Sequence, residues 1–316
     1  MAEALVLFGL GLLLLALGGD SIVKGASGLA QKFGASPFIA GLLLVAFGTS
    51  IPELFVNARA YAVGAQDLAL GNAVGSNIVN FGLTLGLAAL AAPLLIRMRL
   101  LSPMLVALVV ATLAVILFGL DGVISQLEGI VLLLAFVAML VFMLVRSGRE
   151  SLEVRESVAA YADTRSVLWL NLLRFAIAVA LLYFGAKFVV SSAPILGASW
   201  GLSPLLVGLL PVAIGTALPE VAAAIAAARR GQGDMVAGHV IGSSLFNLLV
   251  VVGGMAALRP LPLPASFVKL ELPAAIVFAL MLYPMLRGDL RISKAEGGVL
   301  FVAFLGWVVL ELSLLM

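Results

Sequence analysis

The chain has 316 residues, of which 63% are hydrophobic and 11% charged, with a mean hydropathy of +1.24. A soluble domain carries about 25% charged residues, so water is not this protein's main solvent. The net charge is +2 and no basic stripe with interleaved aromatics occurs, which gives nucleic-acid binding no support. The absence of cysteine excludes disulfides and thiolate chemistry.

A membrane span needs about 20 mostly apolar residues. The sequence supplies ten such runs, at 3–30, 36–63, 68–95, 100–119, 125–146, 167–196, 203–228, 235–258, 267–286 and 295–315. The N-terminus, MAEALVLFGL, lacks a basic n-region and continues into the first span, so it reads as a membrane helix and not a cleavable signal. Fourteen of the 18 Lys and Arg residues fall in or beside loops on one side, which predicts a cell (inner) membrane protein with both termini outside.

The chain contains one half written twice. Residues 34–54, GASPFIAGLLLVAFGTSIPEL, match residues 201–221, GLSPLLVGLLPVAIGTALPEV, without a gap, at an offset of 167 (215 minus 48). The same offset carries Asp67 onto Asp234, Gly71 onto Gly238, Gly75 onto Gly242, Ser76 onto Ser243 and Asn80 onto Asn247. The predicted fold is all-α and polytopic, with a first five-helix repeat at 1–146, a cytoplasmic linker at 147–166 and a second repeat at 167–316. The linker charges are expected to form no more than a solvated inside loop. Five is odd, so the second repeat enters the membrane inverted. Inverted repeats are typical of secondary transporters, which place their site near the midplane on interrupted helices. Pro52 and Pro219 predict those interruptions, each clashing with the carbonyl of residue i−4, at Gly48 and Gly215.

Glu53 and Glu220 follow these prolines. A central intramembrane charge costs at least ~2.5 kcal/mol, and no Lys or Arg stands near either glutamate in the signature. A bound cation or a proton must balance them. Thr49, Ser50 and Thr216 lie within a helical turn of the glutamates. Ser76 with Asn80 and Ser243 with Asn247 are spaced i, i+4 on the next span of each half. All are hard oxygen donors, suited to calcium, magnesium, sodium or protons and not to copper or zinc.

GTSIPEL followed by GNAVGSNIVN, and GTALPEV followed by GHVIGSSLFN, resemble the paired repeats of the cation/calcium antiporter superfamily, specifically its prokaryotic sodium/calcium exchangers. The resemblance covers essentially the whole chain. It implies an antiporter that is not an enzyme, exporting calcium in exchange for sodium by alternating access, with no cofactor beyond the transported ions. By the same resemblance, Glu53, Glu220, Thr49 and Thr216 bind calcium. Ser50, Ser76, Ser243 and the carbonyls of Ala46 and Ala213 build flanking sodium sites together with those four residues, and Asn80 and Asn247 complete the centre. The first and sixth helices would slide across this core. Since the site needs no neighbouring chain, a functional monomer in the lipid bilayer is expected.

Two positions depart from the pattern. Ala217 stands where the first repeat has Ser50, removing one hydroxyl, and His239 stands where it has Asn72. A calcium/proton antiporter using the same glutamates is the alternative reading, which Ala217 favours and the Gly-Thr-Ser and Gly-Thr-Ala lead-ins oppose. An intramembrane hydrolase would need a nucleophile with a base or a metal-binding histidine set, and the chain has one histidine. A channel fits the broken inverted repeat less well than occlusion does. The bland readings are a helix-packing role for the hydroxyls and for His239, whose other reading is proton sensing. Asp20 and Glu311 are left near an interface or in the ion path.

Overall fold

In the computed structural model every residue is described except 163, 165–166, 288–289 and 315–316. The expected end of the linker at 165–166 and the last residue of the tenth span at 315 therefore lie outside the described residues.

The first half runs through α1 (Ala2–Lys32), α2 (Pro37–Phe47), a 3₁₀ turn (Gly48–Ser50), α3 (Ile51–Ala62), α4 (Gln66–Val79), a π-helical turn (Asn80–Leu85) and α5 (Gly86–Ala91). Strand β1 (Leu94–Leu95), α6 (Leu101–Phe118), β2 (Val123–Ile124) and α7 (Gln126–Arg146) complete it. Helix α8 (Leu152–Tyr161) links it to α9 (Leu168–Ser199), α10 (Pro204–Val207), a π-helical turn (Gly208–Val212), α11 (Ala213–Arg229) and α12 (Gly233–Phe246). A further π-helical turn (Asn247–Val252), α13 (Gly253–Leu258), β3 (Leu261–Pro262), a turn at Phe267–Glu271, α14 (Leu272–Arg287), β4 (Arg291–Ile292) and α15 (Lys294–Ser313) follow. Among the described residues nine helices are long and apolar enough to cross a membrane, and the pair α2 and α3, bent by 45°, makes a tenth span. The fold is an all-α polytopic membrane protein.

Local signals repeat with the halves. Ser36 and Ser203, each followed by a proline whose fixed φ suits the first helical position, accept from Ile39 N and Leu206 N at 3.2 and 3.3 Å. Ser125 with Glu128 and Ser293 with Glu296 form capping boxes at the starts of α7 and α15. Each long π-helical turn begins at the matching asparagine, Asn80 or Asn247.

The interruptions differ from each other. In the first half the bend falls at Gly48–Ser50, four residues before Pro52, as expected. In the second half α11 is continuous through Pro219, and the irregular turn lies earlier, at Gly208–Val212, around Pro211. A proline removes one backbone donor, and the wider π turn absorbs that loss at Pro211.

Helices α1 and α9 lie along each other with small residues between them. A Cβ added at Gly11 or Gly185 would come within 2.9 Å of the opposite helix, the close approach that drives helix association in lipid. The strands pair across the halves: β1 with β4 and β2 with β3, both antiparallel. The linker is more than a solvated loop. Ser151 caps α8, whose Val154 and Val158 are buried against α2, and Ser27 and Gln31 of α1 donate to the Ala162 carbonyl at 2.6 and 2.8 Å. The buried Glu150 carboxylate accepts from Arg99 N and Leu100 N, and Arg97 pairs with Glu153. Periodic apolar residues within the charged stretch bury one face of α8, which charge composition alone conceals.

Candidate functional site

The second and third spans of each half, with α1 laid across them, bring the signature residues into the buried centre. Glu53 lies in the first turn of α3 and is 6% exposed; Glu220 lies mid-α11 and is 9% exposed. One carboxylate oxygen of each, Oε2, is buried without a protein hydrogen-bond partner, and the ion pairs found among the described residues, Asp20 with Lys24 and Glu153 with Arg97, include neither glutamate. A membrane interior cannot leave two such groups uncompensated. The arrangement fits a cation entering between them, and the donors around them are oxygens.

The threonines behave differently from each other. Thr216 Oγ1 donates back to its own helix, to Val212 O at 3.0 Å and Ala213 O at 3.3 Å. Thr49, on the 3₁₀ turn, reaches the other half instead, with Oγ1 2.6 Å from His239 Nδ1 and 3.4 Å from Ser243 Oγ. Ser50 Oγ is buried with no protein partner, and Ala217 occupies its counterpart position. Ser76 Oγ lies 3.5 Å from Asn72 Oδ1. The backbone of Ala46 packs directly on Gly242, and the Ala213 carbonyl is engaged by Thr216.

Sequence reading missed three members of this centre. Asn80 Nδ2 donates to Ser244 Oγ at 3.5 Å, and Asn247 Nδ2 donates to Asn77 Oδ1 at 3.3 Å. Asn77 and Ser244 are themselves repeat partners, so these are two copies of one contact across the pseudo-twofold axis, leaving Asn247 Oδ1 free of protein partners. Asn57, fully buried, accepts from Asn72 Nδ2 at 2.9 Å. The available signal was position: Asn77 and Ser244 follow directly on Ser76 and Ser243 in otherwise apolar spans.

Two cavities meet at Glu220. One, of about 250 Å³, lies between α1 and the signature helices and is lined by Gly19, Asp20, Thr49, Pro52, Thr216 and Glu220. The other, of about 50 Å³, is lined by Thr49, Glu220, Ala224, Ala227, Met235 and His239. Ala227 and Met235 flank the turn from α11 to α12, on the membrane face where Asp234 accepts from Arg97 N and the linker docks. Asp20 therefore borders the path to the centre, and its carboxylate pairs with Lys24 at 2.7 Å. Glu311 lies elsewhere, buried near the end of α15 with Glu271 beside it.

A family model described as sodium/calcium exchanger protein matches residues 3–145 and 170–312. The chain is 34% identical to a putative antiporter, CaxA, of Alkalimonas amylolytica, over 99% of this chain and 100% of that one. It is 28% identical to the sodium/calcium exchanger MaX1 of Methanosarcina acetivorans, over 95% and 96% of the two chains. Among solved structures, the sodium-calcium exchanger NCX_Mj soaked with sodium and strontium superposes with a TM-score of 0.69 at 28% identity, covering 97% of this chain and 98% of that one.

Proposed function

The chain belongs to the sodium/calcium exchanger protein family, whose members are transporters of sodium and calcium ions, and from that premise we propose that it exports calcium in exchange for sodium by alternating access around Glu53 and Glu220. The observation that carries the reading is the pair of buried carboxylates, each with an oxygen that no protein group satisfies. Two negative charges balance one divalent cation, and calcium takes six to eight oxygen ligands, more than the carboxylates supply.

In this reading Thr49 and Thr216 complete the calcium site with the glutamates. Ser50, Ser76, Ser243 and the carbonyls of Ala46 and Ala213 flank it for sodium, and Asn80 and Asn247 hold the centre across the axis. Exchange for three sodium ions would move net charge, and exchange for two would not. Ala217 removes one hydroxyl from the second flanking position. The repeats at 1–146 and 167–316 act as the two scaffolds, and the protein works as a monomer in the cell membrane, the linker inside and both termini outside.

The second reading, calcium/proton antiport on the same glutamates, is favoured by Ala217. Calcium-45 uptake into proteoliposomes separates the two. Uptake that requires internal sodium, and is absent from potassium-loaded vesicles, supports the exchanger. Uptake driven by a pH gradient without sodium overturns it in favour of proton coupling.

A further inference from the structure

His239 has no evident part in binding hard cations, and its surroundings set it apart from its repeat partner. Asn72, at the matching position, is fully buried and held by Asn57. The counterpart of Asn57 is Ala224, so α11 offers the imidazole no hydrogen-bonding side chain there. The ring turns to the other half instead, with Nδ1 2.6 Å from Thr49 Oγ1, and 3.2 Å from Ser243 Oγ one turn along its own helix. Nε2 on its far edge is buried with no protein partner, although the residue is only 9% exposed. The ring lines the cavity of about 50 Å³ that also holds Glu220, whose Oε2 is equally unpartnered.

A metal-binding imidazole is oriented through one ring N–H, which donates to an oxygen, while the other nitrogen turns its lone pair to the ion. At 2.6 Å from Thr49 Oγ1, Nδ1 is placed for this arrangement in the tautomer whose Nδ1–H donates to the hydroxyl, which leaves the Nε2 lone pair free. We propose that His239 Nε2 and the Glu220 carboxylate form a mixed nitrogen–oxygen site for a borderline divalent cation of the nickel, cobalt or zinc class, at the linker-side approach to the centre. The inference rests on the reading of Glu220 as a cation ligand. Calcium takes oxygen ligands, whereas imidazole suits nickel and zinc, so the nitrogen raises affinity for these ions relative to calcium. The cavity leaves space for water to complete the coordination. An ion held there shares Glu220 with calcium and so competes with it.

The test uses full-length protein without an affinity tag, in which His239 is the single histidine. Nickel binding is measured by calorimetry on the wild type, His239→Asn and Glu220→Gln, with calcium binding and calcium-45 exchange in parallel. The expected result is a nickel-to-calcium affinity ratio lowered at least about tenfold in His239→Asn. On the wild type alone, saturating nickel should also slow carbethoxylation of His239 by diethylpyrocarbonate, and this arm decides the matter where the variant does not fold. An unchanged ratio, or a modification rate indifferent to nickel, overturns the proposal. Calcium exchange retained in Glu220→Gln overturns the transport reading instead, so the two failures are distinct.

Discussion

Thr49 Oγ1 and His239 Nδ1, 2.6 Å apart, join opposite halves of the chain beside Glu220. The repeat partner Thr216 bonds to its own helix. Near-identical signatures thus make unlike walls around one centre: the first half supplies a hydroxyl tied to a side chain, the second a hydroxyl tied to the backbone. The centre is symmetric in sequence and asymmetric in hydrogen bonding.

Removing either central charge should end transport. Glu53→Gln and Glu220→Gln preserve shape and remove the anion, so calcium-45 exchange in proteoliposomes should fall by more than about 100-fold, equivalent to a loss of about 2.7 kcal/mol. Both variants should remain folded by size-exclusion profile and circular dichroism. Wild-type flux in either variant would sink the assignment of these carboxylates.

Glu271 and Glu311 should be a stability liability. They are 3% exposed, each with one oxygen lacking a protein partner. At the offset of 167 Glu271 matches Met104, and in the register of the capping boxes, Ser125 with Ser293, which is one residue longer, Glu311 matches Met143; both are buried methionines. The double variant Glu271→Met, Glu311→Met should raise unfolding stability by about 1–4 kcal/mol, in line with other buried ionic groups replaced by apolar ones. Sodium-dependent calcium uptake should persist. A lowered melting temperature would show that the carboxylates hold the outer helices together.

The spans, the repeat, the inverted topology and the signature residues were legible in the sequence, because hydropathy and self-alignment read each of them locally. Three features were not. The cross-axis pairs of Asn77 and Ser244 depend on which helix faces which, information that an internal alignment does not hold. The break near Pro211 was hidden because Pro219 matched Pro52 and drew the expectation to Gly215. Helix α8 was masked by its charges, although Val154 and Val158, four apart, mark its buried face.

Close backbone approach at Gly242 should tolerate no side chain. A Cβ there would collide with the backbone of Ala46, whereas one at Gly254 meets nothing within 4 Å. Gly242→Ala should cost about 1–3 kcal/mol. Gly254→Ala should be neutral or stabilising by up to about 1 kcal/mol. Thermal unfolding in detergent reads both, and equal melting temperatures would refute the packing argument.

Glu150 should matter to the linker face of the fold. Its buried carboxylate accepts from Arg99 N at 3.1 Å and Leu100 N at 2.9 Å, just ahead of α6, where helix amides have no partners of their own. Glu150→Ala should cost about 1–2 kcal/mol, the range for a lost N-terminal cap. A melting curve that overlays the wild type would place those amides in contact with water.

The crossed strand pairs set what can move. Strand β1 of the first half is tied to β4 of the second, and β2 to β3. Helix α6 separates the two ribbons by its full length, so they sit at opposite membrane faces. The halves are buckled to each other above and below, which opposes any rocking of one against the other. Helices α1 and α9 carry no strand of either ribbon, and α1 lies across the centre with Gly19 against Pro52 and Leu12 against Gly215. Under the proposed exchange mechanism the strand-tied halves would form the stationary frame around the ion, and α1 with α9 would be the pair free to slide past it.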